Sequence, residues 1–244
     1  MARRIRIWLE DLAPGERVLG PDASHYLAHV QRLREGDEFV GFDPAACLES
    51  TATVLEIEHK RVHCELAAPR PGKRSELGAT LLQCMGKGDK VDDVVRAATA
   101  LGVTNVALCE SARNVLKLGE KAPARLERLR AIALSAAQQS GRGDLPPITG
   151  PFELKRALVD PAHDGALKLC LDPRAEPSYG AALARAAGRH VALLVGPEGG
   201  FEQHELELAE QAGFELVSFG AFVLRTELAG VAALGALIAR RQMA

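Results

Sequence analysis

From Ala79 to the C-terminus, short apolar runs alternate with longer stretches of helical period, and few architectures accommodate that rhythm. The apolar runs at 79–84, 105–109, 167–171, 191–195 and 214–219 are the candidate strands. Stretches with apolar residues three and four apart fit between and after them, at 90–101, 124–140, 179–187, 203–212 and 226–240. The second shows the period plainly, with Leu126, Leu129, Ile132 or Ala133, and Ala136 on one face. Strands and helices in this alternation predict an α/β fold whose parallel sheet is covered by helices.

Residues 1–70 have another texture. Four β-like runs, 5–9, 38–42, 52–57 and 62–66, are separated by turn signals such as Pro14-Gly15 and Glu35-Gly36-Asp37. One helix interrupts them: Ser24 can cap a segment running to Arg34, with Tyr26, Leu27, Val30 and Leu33 at helical spacing. A small β-barrel or sandwich with one helix is expected. The stretch 68–74 is rich in Pro, Gly and charge and reads as a linker, dividing the chain into modules of 1–70 and 75–244.

Composition narrows the function classes. Apolar residues make up 47% of the 244 and charged ones 25%, as in ordinary globular proteins, and no window approaches the ~20 apolar residues of a membrane span. The first residues run basic and then mixed, without a long apolar core or small-residue cleavage site, so no secretory leader is expected and a cytoplasmic location is. Cys47, Cys64, Cys84, Cys109 and Cys170 are odd in number and widely spread, which predicts buried free thiols and neither a disulfide framework nor a metal site. The net charge of −2 hides an uneven distribution. Basic residues gather at Arg3, Arg4 and Arg6, at Arg70, Lys73 and Arg74, at Lys87 and Lys90, and from Arg113 through Lys117, Lys121, Arg125, Arg128 and Arg130 to Arg142. Such runs suit an RNA backbone, and they equally describe solvated helix faces.

Three stretches can carry chemistry. Strand 191–195 runs into Gly196-Pro197-Glu198-Gly199-Gly200-Phe201, a turn whose glycines expose backbone groups at the carboxyl end of a sheet strand, where ligands bind. It is neither a dinucleotide fingerprint nor a phosphate loop. Pro197 offers no N–H and Glu198 repels anions, so a triphosphate fits poorly and a zwitterion or a sulfonium fits better. The same turn can also be a plain strand-to-helix connection. Next, Arg225 stands beside the N-terminus of the last helix, where the helix dipole disfavours a cation, so it needs a partner such as Glu198 or Glu227, or a task. Finally, 135–142 ends a helix with Gln138, Gln139, Gly141 at the C′ position, and Arg142. Amides and a guanidinium suit base edges or phosphate, and a plain helix end reads the same way.

In this order and spacing the stretches resemble the RsmE-type family, the ribosomal small-subunit RNA uridine-N3 methyltransferases of the knotted SPOUT superfamily. Matching features are His25, His29-Val30 and Arg32-Leu33-Arg34 before Gly36-Asp37, then Lys87-Gly88-Asp89, Ala98-Thr99 and Leu101-Gly102-Val103. Arg113, Gln139-Ser140-Gly141-Arg142, the turn 196–201 and Leu224-Arg225-Thr226-Glu227 complete them. The resemblance implies a PUA-like RNA-binding β-barrel on an α/β domain with a trefoil knot, an accepted exception to unknotted folds, and a homodimer with a site completed across its interface. It implies S-adenosyl-L-methionine held by Leu171, Gly196, Pro197, Glu198, Gly199, Gly200, Phe219, Gly220 and Leu224. Contacts to 16S ribosomal RNA would come from Arg32, Arg34, Lys87, Arg113, Gln139 and Arg142, and the product would be N3-methyluridine. Ala97 and Ala100 stand where a Lys and a Glu are usual, Ala112 and Gln138 where a Glu is, and Leu228 where a Thr is. These departures leave the turn intact and fall on substrate-side contacts.

Methyl transfer from a sulfonium to nitrogen needs no acid for its leaving group, but uridine N3 carries a proton. Either a base removes it or the anion over O2 and O4 is stabilised. Arg225, with five fixed donors, is the first choice for that stabilisation or for gripping a phosphate, and Glu198 is either the base or a brace for the turn. The rival readings are an RNA-binding or ribosome-assembly protein of the same fold without turnover, and a knotted methyltransferase acting on another RNA.

Overall fold

The computed structural model describes residues 5–86, 88–113, 119–186 and 188–243. They fall into two units, 1–74 with 137–145 and 75–136 with 146–244. In the first, β1 (Arg6–Trp8), β2 (Gly15–Val18), β3 (Glu38–Asp43), β4 (Leu48–Glu58), β5 (Arg61–Leu66) and β6 (Arg70–Pro71) form one sheet in the order β1-β3-β4-β5-β2, with β6 also paired to β4. Only β1 with β3 is parallel. Val62, Cys64 and Leu66 alternate along β5 toward a core shared with Leu27, Phe39, Ala52 and Val54.

Residues 68–74 are more than a linker: Arg70 and Pro71 pair with Glu49 and Leu48, and Gly72 N–H donates to Cys47 O at 2.8 Å. Pro71 fits because a strand of two residues at a sheet margin needs few donors. The helix expected from Ser24 to Arg34 both starts and ends earlier. Pro21, with its φ preset, opens α1 (Pro21–His25), the chain widens into a π-helical turn at Tyr26–Val30, and Arg32 takes a left-handed φ of 57°. Ser24 caps nothing. Buried, its Oγ donates to Leu19 O at 3.2 Å and accepts from Val62 N–H at 3.1 Å, fastening the helical segment to β5.

The second unit is a six-stranded parallel sheet of β7 (Ala79–Cys84), β8 (Asn105–Glu110), β9 (Ile148–Glu153), β10 (Leu167–Leu171), β11 (Val191–Val195) and β12 (Glu215–Val217), ordered β12-β10-β11-β7-β8-β9. The connecting helices are α2 (Lys90–Ala100), α3 (Ala122–Ser140), α4 (Leu154–Leu158), α5 (Tyr179–Leu183), α6 (Gln203–Gln211) and α7 (Thr226–Gln242). Central strands β7 and β11 are buried throughout; β11 is apolar along its whole length, and the two polar residues of β7, Thr80 and Gln83, are hydrogen-bonded to His190 and Thr226. One core cluster joins Leu82, Cys170 and Leu194 to Leu154, Leu206 and Phe214. Helix α7 packs on β11 and β7, and Gly230 permits the approach: a Cβ there would stand 3.1 Å from Leu81 Cδ1 and 3.4 Å from Val195 Cγ2.

Strand β9 and helix α4 are additions to the elements expected from sequence. β9 contains Gly150-Pro151, which reads as a breaker, and tolerates it because it is an edge strand. The strand expected at 214–219 shortens to β12, and the helix expected at 179–187 to α5. Ala187 lies outside the described residues. All five cysteines are buried free thiols; burial raises Cys64 to about 11 and Cys109 to about 12. Among the described residues, no helix is long and apolar enough to cross a membrane.

Candidate active site

Three adjacent strands, β12, β10 and β11, end on the same side of the sheet, and the loops that follow them enclose a cavity of about 640 Å³. Carboxyl-terminal loops of a parallel sheet are where such folds bind ligands. Leu171 to Arg174 line it after β10, Gly196 to Phe201 after β11, and Phe219 with Phe222 to Thr226 after β12; Lys90 and Arg113 complete the wall.

The turn after β11 is fixed from several directions. Gly200, at φ 67°, folds its N–H back to Pro197 O at 2.9 Å, a conformation that favours glycine. Phe201 is buried in the core cluster directly beneath Gly196. Thr226 Oγ1 donates to Gly196 O and accepts from Gln83 Nε2 at 3.2 Å, so strand β7, the turn and the start of α7 share one hydrogen-bonded chain. Arg113 reaches the turn from beyond β8, donating from Nη1 to Gly199 O at 2.8 Å. Its loop is held by the buried carboxylate of Glu205, which accepts Ala112 N–H at 2.8 Å and Glu202 N–H at 2.9 Å.

Charge in the cavity comes in pairs. Glu198 Oε1 lies 2.9 Å from Lys90 Nζ, and that hydrogen bond raises the lysine's pKa above its ordinary value. After β10, buried Asp172 accepts from Arg174 N–H at 2.8 Å, Nε at 3.0 Å and Nη2 at 2.7 Å, and the guanidinium holds its carboxyl below the usual range. Arg225 is the N-cap residue of α7, its side chain 80% exposed, with Glu227 Oε1 3.9 Å from Nη1. Of the two partners expected for it, Glu227 is the nearer fit and Glu198 is taken up by Lys90. Phe222 and Val223, in the loop after β12, are 85% and 77% exposed.

Leu171, Gly196, Pro197, Glu198, Gly199, Gly200, Phe219, Leu224 and Arg225 thus share one wall, as does Arg113, which sequence assigned to RNA. Gly220, at φ 76°, belongs to the same loop without lining the cavity. Arg32, Arg34 and Gln139 are exposed in the first unit. Arg142 is placed otherwise than expected: it is buried, and its Nε and Nη2 each lie 3.0 Å from an Asp144 oxygen, so its guanidinium braces a loop and does not face solvent. Gly141 does occupy the helix C′ position, at φ 79°. Lys87, Arg3, Arg4 and Lys117 lie outside the described residues. No role was expected for Arg174, and Lys90 was expected only as part of a basic run. For Lys90 a signal existed: like Arg225 it is a cation at a helix N-terminus.

Residues 73–238 match the family described as RNA methyltransferase domain. The chain is 30% identical to ribosomal RNA small subunit methyltransferase E of a Synechocystis strain, over 96% of this chain and 76% of that one. It is likewise 30% identical to the protein of that name from Mycobacterium tuberculosis, over 90% of this chain and 85% of the relative. Ribosomal RNA small subunit methyltransferase E from Neisseria gonorrhoeae, solved bound to S-adenosyl methionine, has a TM-score of 0.85 to this fold at 29% identity, covering 98% of each chain. With its α/β fold, its carboxyl-end cavity and this likeness along nearly its whole length, the chain belongs to the ribosomal RNA small subunit methyltransferase E family of RNA methyltransferases.

Proposed function

We propose that this protein is an S-adenosylmethionine-dependent methyltransferase that modifies N3 of a specific uridine in the 16S RNA of the small ribosomal subunit. The observation that carries this reading is the composition of one cavity. Its lining is apolar at Leu171, Val195, Phe219 and Leu224, the turn from Gly196 to Gly200 forms one side, and its carboxylates Asp172 and Glu198 are each paired with a cation, Arg174 and Lys90. Apolar surface beside backbone groups and charges of both signs suits a zwitterion that carries an apolar ring system. The volume of about 640 Å³ falls within the ~300–1,000 Å³ typical of small-molecule sites. When bound, the cofactor supplies an electrophilic methyl group on sulfur.

The chain's own residues do the rest. Leu171, Gly196, Pro197, Gly199, Gly200, Phe219 and Leu224 would hold and bend the cofactor, with Gly220 setting the curve of its loop. Arg225, exposed beside the cavity, would stabilise the uridine anion over O2 and O4. Glu198, engaged by Lys90, is better placed to brace the turn and face a cation than to take a proton. Arg32, Arg34, Lys87, Gln139 and Arg113 would contact RNA, and Arg142 would serve by keeping the loop after α3 in shape.

The same reading takes residues 1–70 as a PUA-like RNA-binding barrel and 75–244 as a trefoil-knotted SPOUT domain. The path from edge strand β12 back to α7 on β11 and β7 supports the knot. Exposed Phe222, Val223 and Leu228 support a homodimer that covers them. A ribosomal substrate would place the enzyme in the cytoplasm. Incubation with methyl-labelled S-adenosylmethionine and small ribosomal subunits is expected to label the RNA, with calorimetry showing cofactor binding. Absence of binding at high micromolar cofactor would favour an RNA-binding protein of the same fold without turnover.

A further inference from the structure

Lys90 is the first residue of α2, where the helix dipole disfavours a cation, yet it lines the cavity between two carboxylates from different elements. Its Nζ is 2.9 Å from Glu198 Oε1, on the turn after β11, and 3.6 Å from Glu227 Oε2, in the first turn of α7. The shorter contact is a hydrogen bond. The longer is not, and Glu227 Oε2 is buried without a hydrogen-bond partner, which costs free energy and asks for a reason. The other oxygen of the same carboxylate, Oε1, lies 3.9 Å from Arg225 Nη1. Glu198, Lys90, Glu227 and Arg225 therefore form a row of alternating charge from the cofactor turn to the cap of α7.

We propose that Lys90 is a positioning residue that couples the cofactor turn to Arg225 by sharing Glu227 with it. The inference rests on the methyltransferase reading. Lys90 anchors Glu227 from one side, and the carboxylate so held keeps the guanidinium of Arg225 oriented toward the substrate side. Without Lys90 the carboxylate loses its anchor and Arg225 its orientation.

K90M should lower single-turnover methylation of small-subunit RNA by about tenfold or more, with the Kd for S-adenosylmethionine changed by less than roughly threefold. K90R, which keeps the charge, should restore most of the rate. E227Q should also slow turnover at unchanged cofactor affinity, and the K90M/E227Q pair should be no slower than the worse single variant, because both act on one link. If K90M does not fold, E227Q and K90R carry the test alone: the first must slow turnover and the second must not. A normal rate for K90M, costs that multiply in the double variant, or a loss confined to cofactor affinity would each overturn the proposal. Wild-type protein that neither binds the cofactor nor labels RNA would instead overturn the activity on which it rests.

Discussion

Arg225 stands at the cap of α7 with most of its side chain in solvent and one anion 3.9 Å away, so its removal costs the fold little and should be felt in turnover. For R225A, kcat is expected to fall by about 10²–10³, the usual loss for one donor to a developing anion. Calorimetry should find S-adenosylmethionine affinity within about threefold of wild type, since the residues proposed to hold it are untouched. A fall in cofactor affinity at intact kcat would assign the residue to the cofactor instead. Sequence marked Arg225 by a local rule, a cation at the wrong end of a helix dipole, and the rule applies equally to Lys90. Lys90 escaped because its partners, Glu198 and Glu227, are over a hundred positions away and meet it only in the folded chain. Arg142 differs again. Its composition suits RNA, but Asp144 two residues on takes the guanidinium into a buried pair.

At the scale of elements, the strands that are mostly apolar were legible because burial on both faces favours such a sequence: β7 and β11 carry the bounds expected of them. Elements with conflicting signals were not. β9 is built from Ile148–Glu153 with a Gly-Pro at its middle, and only its position at the sheet edge lets it pair. The helix after Gly20 widens into a π-helical turn that no 3.6-residue period reveals. The close seat of α7 on the sheet gives a direct test. G230V would drive side-chain atoms into Leu81 and Val195, and overpacking of this kind costs about 1–3 kcal/mol, read as a lower denaturation midpoint by chemical unfolding. Because α7 begins at Arg225 and Thr226, turnover should fall as well. E205A is expected to destabilise by a similar ~1–3 kcal/mol, since two partly buried backbone N–H groups lose their acceptor and a buried side chain is removed. It should weaken cofactor binding too, through the loop that carries Arg113 to Gly199.

For the whole molecule, acid stability follows from two histidines in the second unit. Burial lowers the pKa of His163, which is 1% exposed, and of His190, whose Nε2 lies 2.9 Å from Thr80 Oγ1. Both are therefore neutral in the folded chain at pH values where the unfolded chain has begun to bind protons. Their contribution is complete above the ordinary histidine pKa of about 6.5 and is lost as pH falls below it. Thermal unfolding should move to lower temperature from about pH 7 to pH 5, and H163L should flatten that dependence. A midpoint that stays constant over this range would contradict the burial of these rings. Asp172, held low by Arg174, adds its loss only at more acidic pH.

The site of methylation is read most directly on the RNA itself. Ribosomal RNA from cells with and without this gene is digested and its modified nucleosides are mapped by mass spectrometry. N3-methyluridine at one position of the 16S RNA should disappear with the gene, return with the wild-type chain and stay absent with R225A. An unchanged 16S map, or a methyl group lost from a ribose or from another RNA, would contradict the proposed site.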